Sequence, residues 1–130
     1  MEELLKNIFA LYGKLKNLHY TASGLSFYSL HKQADDMLDG LLDFADEIQE
    51  NFYLASGTKF VDLASVFDGA SKLMSTTDDT VDACLRSALL LISNMTAMTQ
   101  ELKTDSVEDI FSRLNNHLFK IKGFVLRTIA

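Results

Sequence analysis

Apolar side chains recur at intervals of three and four along most of this chain, a pattern that predicts helices from one end to the other. In residues 2–20, Leu4, Ile8, Leu11, Leu15 and Leu18 form one stripe, with Leu5 and Tyr12 beside it. The segment TASGL, residues 21–25, reads as a short turn in which Gly24 supplies dihedral freedom, so the first two helices should be antiparallel neighbours. A second helix is expected over residues 26–53, with Ser26 as its N-cap and Leu30, Met37, Leu38, Leu41, Phe44, Ile48 and Phe52 along its apolar face. Past Phe52 the pattern weakens, and Gly57 marks a break. Residues 59–67, KFVDLASVF, carry enough period for a short helix, after which DGASKLMSTT reads as loop.

A third helix is expected over residues 78–103, capped by Thr77, with Asp78 and Asp79 favourable in its first turn. Its apolar positions are Val81, Cys84, Leu85, Ala88, Leu89, Ile92, Met95 and Leu102. The fourth follows TDSVED and turns Val107, Ile110, Phe111, Leu114, Leu118, Ile121 and Val125 inward. Phe119, Phe124 and Leu126 point to other faces, which implies further burial at subunit contacts. The result is an all-α, four-helix bundle. A long crossover carrying one short extra helix joins helices two and three.

Composition narrows the class. At 130 residues and 48% apolar content, residues 1–130 form one domain able to bury a core without disulfides or structural zinc. The net charge of −6 argues against broad affinity for nucleic acid or anionic membrane. One cysteine, Cys84, cannot form an intrachain disulfide; it falls on an apolar face, where packing is its role. No long unbroken apolar run predicts a membrane span, and MEELLKNIF is acidic and amphipathic rather than a signal sequence, so a cytoplasmic protein is expected. The absence of proline leaves helices free to run long.

Candidate chemistry gathers in the second helix. With His31 at zero and about 100° per residue, Asp35 falls near 40°, Asp46 near 60° and Glu50 near 100°, all on one flank. His31 with Asp35 and Asp46 with Glu50 are nevertheless separated by about 16 Å along the axis, too far to share one ion. Two copies crossing antiparallel about a two-fold axis would bring the first pair of each to the second pair of the other. Imidazole with carboxylate suits iron and related divalent metals. Acidic residues on a helix are more often a solvated face, and Asp36, Asp39, Asp43 and Glu47 lie on or beside the same flank.

His19 and the segment after it shift that balance. The run H-Y-T-A-S-G-L-S-F-Y-S-L-H, followed by Asp35, Asp46 and Glu50, resembles the Dps family of miniferritins, whose pattern is H-[WY]-x-x-x-G-x-x-F-x-x-x-H-x-x-x-D with D-x-x-x-E downstream. The matching positions are His19, Tyr20, Gly24, Phe27, His31, Asp35, Asp46 and Glu50, without a gap. The resemblance implies a ferritin-like four-helix bundle whose crossover holds a short helix. It also implies an inter-subunit ferroxidase centre: His19, His31 and Asp35 from one subunit, Asp46 and Glu50 from its two-fold neighbour. Such a centre takes Fe(II), as a mono-iron or di-iron site, and oxidises it with hydrogen peroxide or, more slowly, dioxygen. Fe(III) then mineralises inside a dodecamer built from two-fold dimers, and oxidative damage is suppressed.

Tyr20 stands where many members have tryptophan; the alternative is an ordinary core aromatic. Asp105, Glu108 and Asp109 match acidic residues that line pores admitting Fe(II), the alternative being a capping box of Ser106 with Asp109. His117 is expected on a polar or interfacial face, and Met95 and Met98 as core filling. The chain starts close to its first helix and has no basic tail of the kind through which family members bind DNA, so negligible duplex binding is expected. Two other readings remain open. One is a shell of the same fold whose centre is inactive or occupied by zinc, which the ligand types also accept; the other is an unrelated helical bundle with a solvated acidic flank.

Overall fold

The computed structural model describes residues 1–22, 24–74 and 80–129. The chain folds into α1 (Glu2–Thr21), α2 (Tyr28–Leu38), α3 (Leu41–Ile48), α4 (Leu63–Leu73), α5 (Val81–Glu101) and α6 (Glu108–Ile129). A 3-10 turn, Leu25–Phe27, precedes α2, and a π-helical turn, Gln49–Leu54, extends α3. Four long units, α1, α2 with α3, α5 and α6, make the bundle, and α4 lies in the crossover.

Helix α1 is the central element and packs against α2, α3, α4 and α5, while α6 closes on α3 and α5. Its stripe is buried as expected: Leu4, Leu5, Ile8, Leu11, Leu15 and Leu18. Burial of such aliphatic side chains stabilises by about 1.5–3 kcal/mol each relative to exposure. The face is wider than the apolar stripe, since Asn7 and Lys14 are buried on it too.

The expected second helix is not continuous. It stops at Asp39, which is extended (ψ 133°), and restarts after Gly40, which is left-handed (φ 78°). Glycine takes this conformation without the Cβ clash that penalises other residues, and Asp-Gly is a turn signal. The apolar period runs across the break, which conceals it in the sequence. The angular reckoning from His31 therefore does not carry through to Asp46 and Glu50. At the start, Ser26 lies within the 3-10 turn, and Phe27 rather than Ser26 takes the cap position of α2.

In the crossover, the break at Gly57 is observed (φ 78°), but the short helix begins later than expected and runs to Leu73. Just before its start the Gln49 side-chain amide engages both backbone groups of Val61, donating to its carbonyl at 2.8 Å and accepting from its N–H at 3.0 Å. DGASKL is helical rather than loop. Gly69 serves close approach there, since a Cβ would collide with the Lys6 side chain of α1.

The expected cap of the third helix, Thr77 with Asp78 and Asp79, lies outside the described residues. Thr80 caps α5, accepting from Ala83 N at 3.1 Å. This helix is long and apolar enough for a membrane span by length and mean hydropathy alone. In the bundle it buries Cys84, Leu85, Ala88, Leu91, Ile92 and Met95 and exposes Ser93, Asn94, Thr96 and Gln100. Phe124, expected on another face, is buried in the core, whereas Phe119 (76% exposed) and Leu126 face outward.

Candidate metal centre

The α1–α2 hairpin brings the two histidines together. His19 is in the last turn of α1, where carbonyls lack helical donors, and His31 is in the first turns of α2. His31 Nδ1–H donates to the His19 carbonyl at 2.5 Å, and His19 Nδ1–H returns the bond to the His31 carbonyl at 2.7 Å. The rings stack with centroids 3.7 Å apart and planes 23° from parallel. With both Nδ1 atoms acting as donors, each neutral ring carries its lone pair on Nε2. Fixing the tautomer in this way is what metal-binding imidazoles need.

Asp35 lies one turn beyond His31. Its carboxylate accepts from Lys16 Nζ at 2.9 Å, and that hydrogen bond, with the Lys16 charge, holds its pKa below the ordinary carboxylate range. Lys16 in turn is held protonated to higher pH by Asp35. Its ammonium sits 5.9 Å from the centre of the Tyr20 ring, which meets His19 edge-on at 5.5 Å. Tyr20 is 68% exposed, so the core reading of this residue is wrong; it flanks the histidines at the surface. Lys16 was missed in the sequence. Its place three residues before His19, on the same face of α1, was the available signal.

Asp46 and Glu50 are exposed on α3 and the π-helical turn. Asp46 rims a small cavity of about 180 Å³ between α1, α3 and α4, beside Phe9, Gln49 and Leu63. Among the described residues, no three His, Cys, Asp or Glu side chains of the chain converge on one point as a metal-binding group. Within one chain His19 and His31 meet, Asp35 pairs with Lys16 one turn beyond His31, and Asp46 and Glu50 lie on the segment that follows the Gly40 break.

Other acidic residues have partners of their own. Glu47, read as solvated, is gripped by both ends of the Arg113 guanidinium at 2.7 and 2.9 Å, which lowers its pKa. The acidic group at the start of α6 borders an open cavity of about 730 Å³. There Glu108 meets Lys103 at 3.4 Å and Asp109 accepts from Arg113 at 3.0 Å. Asp109 is engaged with Arg113, and the Ser106 hydroxyl is paired with that of Thr104, in place of the alternative capping box. His117 is half-buried, its Nε2 2.9 Å from the Met37 carbonyl.

The fold is a ferritin-like helical bundle, with a stacked histidine pair at the α1–α2 hairpin. More narrowly, the fold is that of the Dps proteins. A mutant of Dps1 from Mycobacterium smegmatis superposes with a TM-score of 0.75 at 20% identity, over 99% of this chain and 91% of that one. Dps from Thermosynechococcus elongatus superposes with a TM-score of 0.76 at 19% identity, over 99% of this chain and 87% of that one. No family model and no curated protein sequence matches the chain.

Proposed function

We propose that the protein is an iron-oxidising and iron-storing miniferritin, acting as a homo-oligomeric shell built from two-fold dimers. The observation that carries this reading is the reciprocal histidine lock, which leaves an Nε2 lone pair on each ring, with Asp35 one turn along α2 from His31. Fe(II) is the substrate. His19, His31 and Asp35 bind it from one copy, and Asp46 and Glu50 approach from the neighbour. Neutral imidazoles keep the site's negative charge moderate, while carboxylates stabilise the higher charge of Fe(III). Hydrogen peroxide, or dioxygen, takes up the electrons, and Fe(III) moves inward to mineralise, so that Fe(II) and peroxide are consumed together.

A second reading has one observation in its favour. Lys16 already neutralises Asp35, so a divalent ion must share or displace that ion pair. This favours a Dps-like shell whose centre is inactive; zinc, which the ligand types also accept, would have to displace the same pair.

The experiment is anaerobic Fe(II) addition to the purified protein, a peroxide pulse and size-exclusion chromatography, beside a variant combining His31→Ala and Glu50→Ala. Iron co-eluting with a large shell, and oxidised far more slowly by the variant, supports the miniferritin. A shell that retains no iron but takes up zinc supports the second reading. A small species that binds neither metal defeats both.

A further inference from the structure

The break between α2 and α3 strips a carbonyl of its helical donor. In an unbroken helix the Met37 carbonyl would accept from the Leu41 amide. With Asp39 extended and Gly40 left-handed that geometry is lost, and the His117 imidazole donates to Met37 instead, reaching across from α6. One turn earlier on the same face of α6, Arg113 forks onto Glu47 of α3 and stands 6.0 Å from the centre of the Phe44 ring. His117 packs 5.9 Å from the same ring. One turn earlier again, Asp109 accepts from Arg113 Nε and fixes the angle of the fork. A single stripe on α6, Asp109, Arg113 and His117, therefore holds both sides of the break.

The two sides carry different halves of the proposed centre: His31 and Asp35 on α2, Asp46 and Glu50 on α3 and its π-helical turn. We propose that Arg113 and His117 are positioning residues, whose grip on the two segments sets the separation and angle of the half-sites. This rests on the two-fold metal centre proposed above. In a two-fold pair each site takes one half from each copy, so an angular error within one chain displaces both sites. Glycine at the break makes such an error easy, because the backbone there has no side chain to limit it. A helix running straight through would set the angle by itself; a broken one needs an outside reference, and α6 supplies it.

The test uses the full chain and its Arg113→Gln, Arg113→Lys, His117→Ala and His117→Gln variants. Three quantities are read: Co(II) affinity and visible spectrum, amide hydrogen exchange over residues 37–48, and the thermal midpoint. Arg113→Gln and His117→Ala are expected to speed exchange in that segment and to weaken Co(II) binding by about tenfold, the usual scale for groups that orient ligands. For Arg113→Gln the thermal midpoint should barely move, since exposed ion pairs contribute little to global stability. His117→Ala removes a half-buried donor and should lower it modestly, less than the loss of Co(II) affinity requires. His117→Gln, which keeps a donor for Met37, should recover part of the affinity. Arg113→Lys, which keeps charge but not the fork, should recover less.

Unchanged exchange overturns the clamp. Faster exchange with unchanged Co(II) affinity and spectrum overturns its effect on the site. Affinity that falls only in step with the thermal midpoint reduces both residues to general stability and also overturns the proposal. Should the parent chain bind no Co(II), the metal-centre reading fails on its own. The clamp is then decided by exchange, and its role in metal binding is overturned with the site.

Discussion

The histidine half and the carboxylate half of the proposed centre are built in opposite ways. His19 and His31 are half-buried, stacked and tied to each other's carbonyls, and Asp35 is fixed by Lys16. Asp46 and Glu50 stand exposed on a segment that follows a glycine break and ends in a wide π-helical turn. The first half is held by its own hairpin, through contacts that the chain makes without an ion. The second is positioned only through the helix that carries it, and that helix is steered from α6.

The largest effect should come from breaking the histidine half. His31→Ala removes a proposed ligand together with the ring that stacks on His19 and donates to its carbonyl, so Fe(II) affinity should drop by about 100-fold or more, measured by anaerobic titration. An equal loss for Glu50→Ala in separated protomers would break the comparison, because Glu50 should matter only where a second copy is present. In the assembled protein Glu50→Ala should abolish rapid iron oxidation yet shift global stability by less than about 0.5 kcal/mol, as an exposed substitution does. Thermal unfolding beside stopped-flow oxidation checks both at once.

Gly40→Ala probes the hinge. A left-handed alanine costs about 1–2 kcal/mol, even though the space around Gly40 is open, and the midpoint of unfolding should fall accordingly. A stabilised protein would mean that the segment prefers the unbroken helix.

Acid should loosen both halves late. The pKa of Asp35 is lowered by Lys16 and that of Glu47 by Arg113, so each contributes stability above its unfolded-state value, near 3.9 and 4.3. That contribution is lost as pH falls through the lower folded-state values. Carboxyl titrations followed by NMR should therefore show both midpoints below those values, and a midpoint at or above them would remove the pair concerned. The smallest effect is on nucleic acid. At a net charge of −6, micromolar protein should cause no mobility shift of duplex DNA at near-physiological salt.

Much of the bundle was legible because helix period, turn residues and burial agree locally. The stripe of α1 and the inward face of α6 are in the core where their spacing puts them, apart from Phe124. The histidine pair was legible for the same reason, since both residues flank one short turn and need only the hairpin to meet. The break at Gly40 was hidden, because the apolar pattern continues across it and only backbone dihedrals register the change. The segment before α4 is tied to the Gln49 amide, a contact between residues twelve apart that no local pattern announces.

By itself, then, the sequence determined most of the helices, their antiparallel first pair, and the two histidines that meet at the hairpin. These follow from interactions within a few turns of chain. Tertiary structure alone decided that Lys16 faces Asp35, that Arg113 takes Glu47 out of the solvated flank, and that His117 serves a broken helix. Each of those pairs joins different helices, and no periodicity along one helix encodes what a second will place against it.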